Sequence, residues 1–193
     1  MIQELIIATQ NKHKIGEIKP LFPSNIKLIA LKDLNFSEDI PETGATLVEN
    51  ALQKARFVYK KFGRNCFADD TGFEISALHG RPGVYSARYA GEGCTPKDNV
   101  RKVLLEMKDE SQRQARFCTV IALIFDGIEY VFEGEVLGEI LCAETGGEGF
   151  GYDPIFKPAH SNLSFAQMPL SEKNKISHRA RALEKMLEFL KTR

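Results

Sequence analysis

The chain of 193 residues carries 26 basic and 26 acidic residues, for a formal net charge of +0, with 43% hydrophobic and 27% charged side chains. That is the composition of an ordinary globular protein, one sizeable domain or two closely joined lobes. The absence of a basic excess argues against a duplex DNA binder, and no apolar run approaches the ~20 residues that span a bilayer. The start of the chain has no signal-peptide pattern. Cys66, Cys94, Cys118 and Cys142 lack C-x-x-C spacing, which argues against a zinc knuckle or dithiol motif and for a reduced, cytosolic protein.

Leu5-Ile6-Ile7-Ala8 reads as a strand buried on both faces. The polar cluster Thr9-Gln10-Asn11-Lys12-His13-Lys14 follows, and then Ile15, Ile18, Leu21 and Phe22 recur at helical spacing. The cluster therefore marks a strand-to-helix junction. Thr9 or Asn11 can cap the helix, and amide groups with the Lys14 charge can attract an anion there. A capped helix start with surface lysines is the plainer reading; a Walker A loop is absent. Ile26 to Leu31 reads as a second strand, and Glu38 to Gly44 as an acidic loop that holds Glu42. Thr46 then opens a helix with Leu47, Ala51, Leu52, Ala55, Val58, Tyr59 and Phe62 on its apolar face, stopped by Gly63.

Phe67-Ala68-Asp69-Asp70-Thr71-Gly72 reads as a short buried strand ending in two acids and a Thr-Gly turn. Strands of α/β proteins deliver ligands at their carboxyl ends. Adjacent carboxylates repel, so a cation belongs near them, and a hard divalent metal prefers such oxygen ligands. A solvated acidic turn is the alternative. Against it stands the following loop, which carries Tyr85, Arg88 and Tyr89 among its glycines. Adjacent strand residues face opposite sides, so one of the two acids faces a ligand; Asp70, nearer the turn, is the expected one.

Pro96 begins a helix with Val100, Val103, Leu104 and Met107. Residues 115–137 read as a hairpin turning at Asp126-Gly127, with no chemistry assigned. Cys66 and Cys118 lie in apolar runs and read as small buried residues. In 145–154, Gly146, Gly147, Gly149 and Gly151 alternate with Phe150, Tyr152 and Asp153, a loop where backbone can approach a ligand and rings can stack on a planar base. Residues 173–193 hold seven Lys or Arg against Glu184 and Glu188. Ser177 reads as the cap of a last helix whose buried stripe is Leu183, Met186, Leu187 and Leu190. His178 and Arg179 then fall in its first turn, where cations oppose the helix dipole and an acceptor-rich ligand would compensate. A solvated basic helix is the alternative.

Five segments in order resemble the inosine/xanthosine triphosphate pyrophosphatases: Ala8-Thr9-x-Asn11-x-x-Lys14; Glu42-Thr43-Gly44-x-Thr46 with Glu49-Asn50-Ala51; Ala68-Asp69-Asp70-Thr71-Gly72; Gly149-Phe150-Gly151-Tyr152-Asp153-Pro154; and Lys173 with Ser177-His178-Arg179. The run Pro82 to Tyr89 is also similar to that family. The resemblance implies one α/β domain over 1–193, with a long mixed central sheet, flanking helices and two lobes around a central substrate cleft. It also implies a cytoplasmic homodimer and a Mg2+-dependent cleavage of a nucleoside triphosphate to monophosphate and pyrophosphate, with no nucleic acid polymer or membrane as partner. It carries phosphate contacts over to Thr9, Asn11, Lys14 and Lys173, with Gln10, Lys12, His13 and Thr71 beside them. Metal ligation falls to Glu42 and Asp70, general-base work to Asp70, and the base pocket to Phe150, Gly151, Tyr152, Asp153, His178 and Arg179. Thr71 stands where the family usually has Ser, and Leu47 where it usually has Phe. Two rivals are a pyrophosphatase for modified pyrimidine nucleotides and a regulator that holds a purine triphosphate without cleaving it.

Overall fold

The structure, a computed structural model, describes residues 3–193. It is a mixed α/β protein. Its strands are β1 (Gln3–Ile7), β2 (Ile26–Ala30), β3 (Cys66–Ile75), β4 (Pro82–Gly83), β5 (Gln114–Phe125), β6 (Ile128–Ile140) and β7 (Phe156–Pro158). They form one sheet in the order β2-β1-β3-β5-β6-β7, with β4 paired to β3. β1 runs parallel to β2 and to β3, whereas β3–β4 and β6–β7 are antiparallel. The helices are α1 (Lys12–Ile18), α2 (Leu47–Phe62), α3 (Pro96–Glu106), α4 (Leu170–Ile176) and α5 (His178–Lys191). Among the described residues, no helix is long and apolar enough to cross a membrane.

Two compact units emerge. One runs up to Asp70 and takes in Thr119–Gly134 and Arg179–Arg193; the other comprises Thr71–Cys118 and Glu135–His178. In the first, the period-two alternation of a strand sorts side chains onto two helical layers. Leu5, Ile7, Phe67, Ile121 and Leu123 pack with Ile18 of α1 and with Ala182, Leu183, Met186 and Leu190 of α5. Ile6, Ala8, Cys66, Ala68, Val120, Ala122 and Ile124 pack with Ala51, Ala55 and Val58 of α2. In the second unit, Val100, Val103 and Met107 of α3 pack with Phe73, Ile75, Phe117, Val136, Ile140 and Phe156.

Local chemistry sets the boundaries. Thr46 caps α2 through its bond from Glu49 N, Glu49 bonds back, and Gly63 ends the helix at φ 61. Thr95 caps α3 in the same way, with Pro96 in its first turn. Asp126 and Gly127 take φ of 50 and 79, the left-handed pair that a tight hairpin turn requires. Three expectations need correcting. β3 does not end at the acids but runs through Asp69, Asp70, Thr71 and Gly72 to Ile75, because Phe73 and Ile75 are fully buried and keep the strand in the sheet. The helical pattern at Lys12–Phe22 is split, since α1 stops at Ile18 before a 3-10 turn at Lys19–Leu21 that accommodates Pro20. Cys118 is only half-buried, whereas Cys66 is fully buried and its thiol is pushed up to about 12 by that burial.

Candidate active site

Strand parity determines what each acid of β3 meets. Asp69 lies two residues past Phe67 and shares its face, toward α1 and α5. Asp70 lies two past Ala68 and shares the face of α2. Asp69 is 1% exposed; Lys14 Nζ lies 3.1 Å and Arg179 Nε 3.2 Å from its Oδ2. Arg179 Nη1 also donates to Glu17 of α1, so three elements meet in a buried ion network. Burial pushes the Asp69 carboxyl up, but Lys14, Arg179 and Lys54 together outweigh it and hold the group well below the usual carboxylate range. Burial in turn lowers Lys14 by more than Asp69 raises it.

On the other face, Lys54 of α2 is the shared cation. Its Nζ lies 2.7 Å from Glu42 Oε1 and 2.9 Å from Asp70 Oδ1, and Asn50 Nδ2 lies 3.4 Å from Asp70 Oδ2. Here burial wins: it pushes Asp70 up, and Lys54 and Lys14 do not cancel it. A carboxylate raised in this way is the better base of the two, because it releases less of its basicity to a fixed partner. The loop carrying Glu42 is tied to α2 by side chains. Gln53 Oε1 accepts from Thr43 N at 2.9 Å, Asn50 Oδ1 from Gly44 N at 2.7 Å, and Glu49 Oε2 from Ala45 N at 2.7 Å. Gly44 is required there: a Cβ would stand 2.6 Å from Glu49 Cβ and 2.9 Å from Asn50 Oδ1.

The loop after β1 is arranged largely as its sequence indicates. Asn11 Oδ1 accepts from His13 N at 2.9 Å and Lys14 N at 3.2 Å, and Thr9 Oγ1 accepts from Asn11 N at 3.2 Å. Asn11 thus takes up two of the amides at the helix start. Gln10, Lys12 and His13 are exposed beside it. Gln10 and Lys12, with Thr9, also line a cavity of about 810 Å³ floored by Leu31 and Phe36.

In the second unit, Lys173 and Asp153 are both 2% exposed and their charges meet at 2.5 Å. The ammonium also lies 5.4 Å from the Phe150 ring centre and 5.1 Å from that of Phe165. Asp153 Oδ2 accepts from Phe150 N at 2.8 Å, and Gly149, at φ +74, makes room for that carboxylate, with which a Cβ would collide. Gly151 also has positive φ, and Thr71 is a half-buried residue of β3. Lys173, expected among phosphate contacts, lies beside Phe150 and Asp153. Tyr152 stacks on Phe73 at 4.7 Å and donates from its hydroxyl to Ser86 O at 2.8 Å. His178 is 2% exposed and stacks on Phe117 at 4.6 Å with an 11° tilt. Arg179, expected to offer donors to a base, gives its Nε to Asp69 and its Nη1 to Glu17. Lys54, Asn50 and Glu17 were not anticipated as site residues.

The fold places the chain beside solved Ham1 proteins. The one from Coxiella burnetii superposes with a TM-score of 0.90 at 40% identity, covering 99% of this chain and 100% of its own. The one from Staphylococcus aureus superposes with a TM-score of 0.89 at 39% identity, covering 98% and 99%. The model of the Ham1 family matches residues 5–189, and the chain belongs to that family. A dITP/XTP pyrophosphatase of Christiangramia forsetii is 51% identical over 187 residues, 97% of this chain and 98% of the relative. A protein of the same name from Flavobacterium johnsoniae is 48% identical over 187 residues, 97% of each chain.

Proposed function

We propose that this protein hydrolyses non-standard purine nucleoside triphosphates (ITP, dITP, XTP and dXTP) to the monophosphate and pyrophosphate, and so cleanses the nucleotide pool. Full-length similarity to relatives named dITP/XTP pyrophosphatase supports the substrate class. The observation that carries the chemistry is the pair Glu42 and Asp70, two carboxylates converging on one lysine.

The donors fit a hard cation. Both are carboxylates, and a positive charge already stands between them as the Lys54 ammonium. Among the described residues no group of three or more His, Cys, Asp or Glu converges, so these two acids would hold the ion together with substrate oxygens. Bound there, Mg2+ would neutralise phosphate charge. Asp70 accepts a proton from the attacking water. The water oxygen bonds to the α-phosphorus, the bond to the bridging oxygen breaks, and pyrophosphate leaves with that electron pair. Lys14, with the Thr9–Lys14 loop, meets the phosphate charge, and Lys54 stays beside Asp70 to steady its charged form. Phe150 stacks on the purine, with Gly151, Tyr152, Asp153 and Lys173 shaping its site and Thr71 beside Asp70 on the chain. His178 and Arg179 read the 6-oxo group, an acceptor in hypoxanthine and xanthine where adenine has a donor.

The two units are proposed to work as one domain over 1–193, in a homodimer, as the family resemblance implies. Four free thiols support a reducing, cytoplasmic setting. The test is product analysis with ITP, XTP, dITP, GTP and ATP, with and without Mg2+. Pyrophosphate from ITP and XTP, abolished by EDTA, is expected. Orthophosphate as the first product would overturn cleavage at the α-phosphorus.

A further inference from the structure

The second unit contains an aromatic frame that none of the chemistry above uses. Phe117 of β5 lies at its centre. It stacks on His178 at 4.6 Å and 11°, and meets Phe73 at 4.6 Å, Phe156 edge-on at 4.9 Å and Phe165 at 6.0 Å. Phe73 in turn stacks on Tyr152 at 4.7 Å and 22°. Two residues of the base site, Tyr152 and His178, therefore rest on adjoining rings of the same frame, although they come from separate segments. Tyr152 is also pinned at its far end by its bond to Ser86 O. His178 stands at the first position of α5, with its ring nearly parallel to that of Phe117 and 6.2 Å from that of Phe165.

We propose that Phe117 is a positioning residue for base recognition: its ring fixes the plane of the His178 imidazole and, through Phe73, the same frame fixes Tyr152. A planar purine read edge-on requires its donors in one plane with it, since hydrogen bonds weaken steeply off axis. An imidazole free to rotate would still be buried but would lose the angle that separates an acceptor at position 6 from a donor. This inference rests on the placement of His178 in the base site.

The experiment compares Phe117→Leu, Phe156→Leu, His178→Ala and the double variant Phe117→Leu/His178→Ala. The readouts are the ITP-to-ATP ratio of kcat/KM and the melting temperature. Phe156 packs in the same cluster and touches Phe73, Phe117 and Phe165, with no ring contact to His178, so it controls for lost packing. Misplacement of a binding group by ~1 Å can cost ~10²-fold, and Leu restores part of the packing, so Phe117→Leu is expected to lower the ratio ~10-fold, mainly through KM for ITP. Phe156→Leu is expected to lower the melting temperature and leave the ratio alone. In the His178→Ala background, Phe117→Leu is expected to change the ratio no further. The His178 ring-proton NMR shifts, displaced by the Phe117 ring current, should move in Phe117→Leu and hold in Phe156→Leu. If Phe117→Leu does not fold, Phe117→Met, flexible and gap-filling without a ring, takes its place. A ratio lowered by His178→Ala but unmoved by the Phe117 variants overturns the positioning role. A ratio unmoved by His178→Ala overturns the placement of His178 itself.

Discussion

Asp69 and Asp70 are consecutive residues of β3, yet the sheet gives them opposite chemistry. Asp69 faces α1 and α5, where Lys14 and Arg179 reach it and Glu17 shares the arginine. Its charge is fixed and its basicity is low. Asp70 faces α2, where one lysine serves both it and Glu42, and burial leaves its carboxyl raised. A side chain's role here follows from which helix layer covers its face, because one residue along a strand exchanges the whole set of partners. The Asp69 network ties three elements together, whereas Asp70 shares one cation with a second acid.

The comparison can be broken first on the Asp69 face. Asp69→Asn leaves Lys14 and Arg179 facing a neutral group, and removing one partner of a buried pair costs ~3–5 kcal/mol. Urea unfolding at pH 7 checks this. The pH dependence has a definite sign: a depressed folded pKa contributes stability above the unfolded value of ~3.9 and loses it as pH falls through the folded value. The deficit of Asp69→Asn should therefore shrink in acid. A deficit independent of pH would mean that the Asp69 charge does not matter. Next comes Arg179→Ala, which takes the guanidinium from both Asp69 and Glu17, leaves Lys14 on Asp69, and should cost ~3 kcal/mol. It should also narrow the gap between ITP and ATP more than that between ITP and GTP. A stability loss with the ITP-to-ATP ratio intact would confine Arg179 to the network.

Lys54→Met sharpens the other face. Glu42 and Asp70 would confront each other, but the Glu42 side chain is 40% exposed and can turn to water. The cost in EDTA should be smaller, ~2 kcal/mol. Mg2+ binding to the folded state then adds stability by mass action, so millimolar Mg2+ should close part of the deficit. Melting curves with and without Mg2+ read this directly, and a deficit unchanged by Mg2+ would remove the metal from this pair.

Much of this was legible in the chain. The hairpin, α2 with its Thr46 cap and Gly63 stop, and the Pro96 start of α3 follow from local rules. So does the need for cations near the acid pair. The course of β3 was not legible, because Thr-Gly after two acids reads as a turn until the burial of Phe73 and Ile75 is known. Helix α4 was hidden because Leu170 and Ile176 are its only apolar residues, too few to show a period. Lys54 did leave a signal: it falls on the buried stripe of α2, three residues past Ala51 and four before Val58, where a charge needs a partner. Glu17, beside Ile18 on α1, left the same kind of signal. Pairings such as Arg179 with Glu17 join distant segments, and no spacing rule encodes them.

The most direct test of the division between the faces is pyrophosphate release from ITP by Asp70→Asn beside Asp69→Asn, each assayed under conditions where it is folded. Asp70→Asn should lose at least ~10²-fold in kcat, the scale of a general base, while its melting temperature falls less than that of Asp69→Asn. Near-normal turnover by Asp70→Asn, with a folded Asp69→Asn inactive, would contradict the assignment and exchange the roles of the two acids.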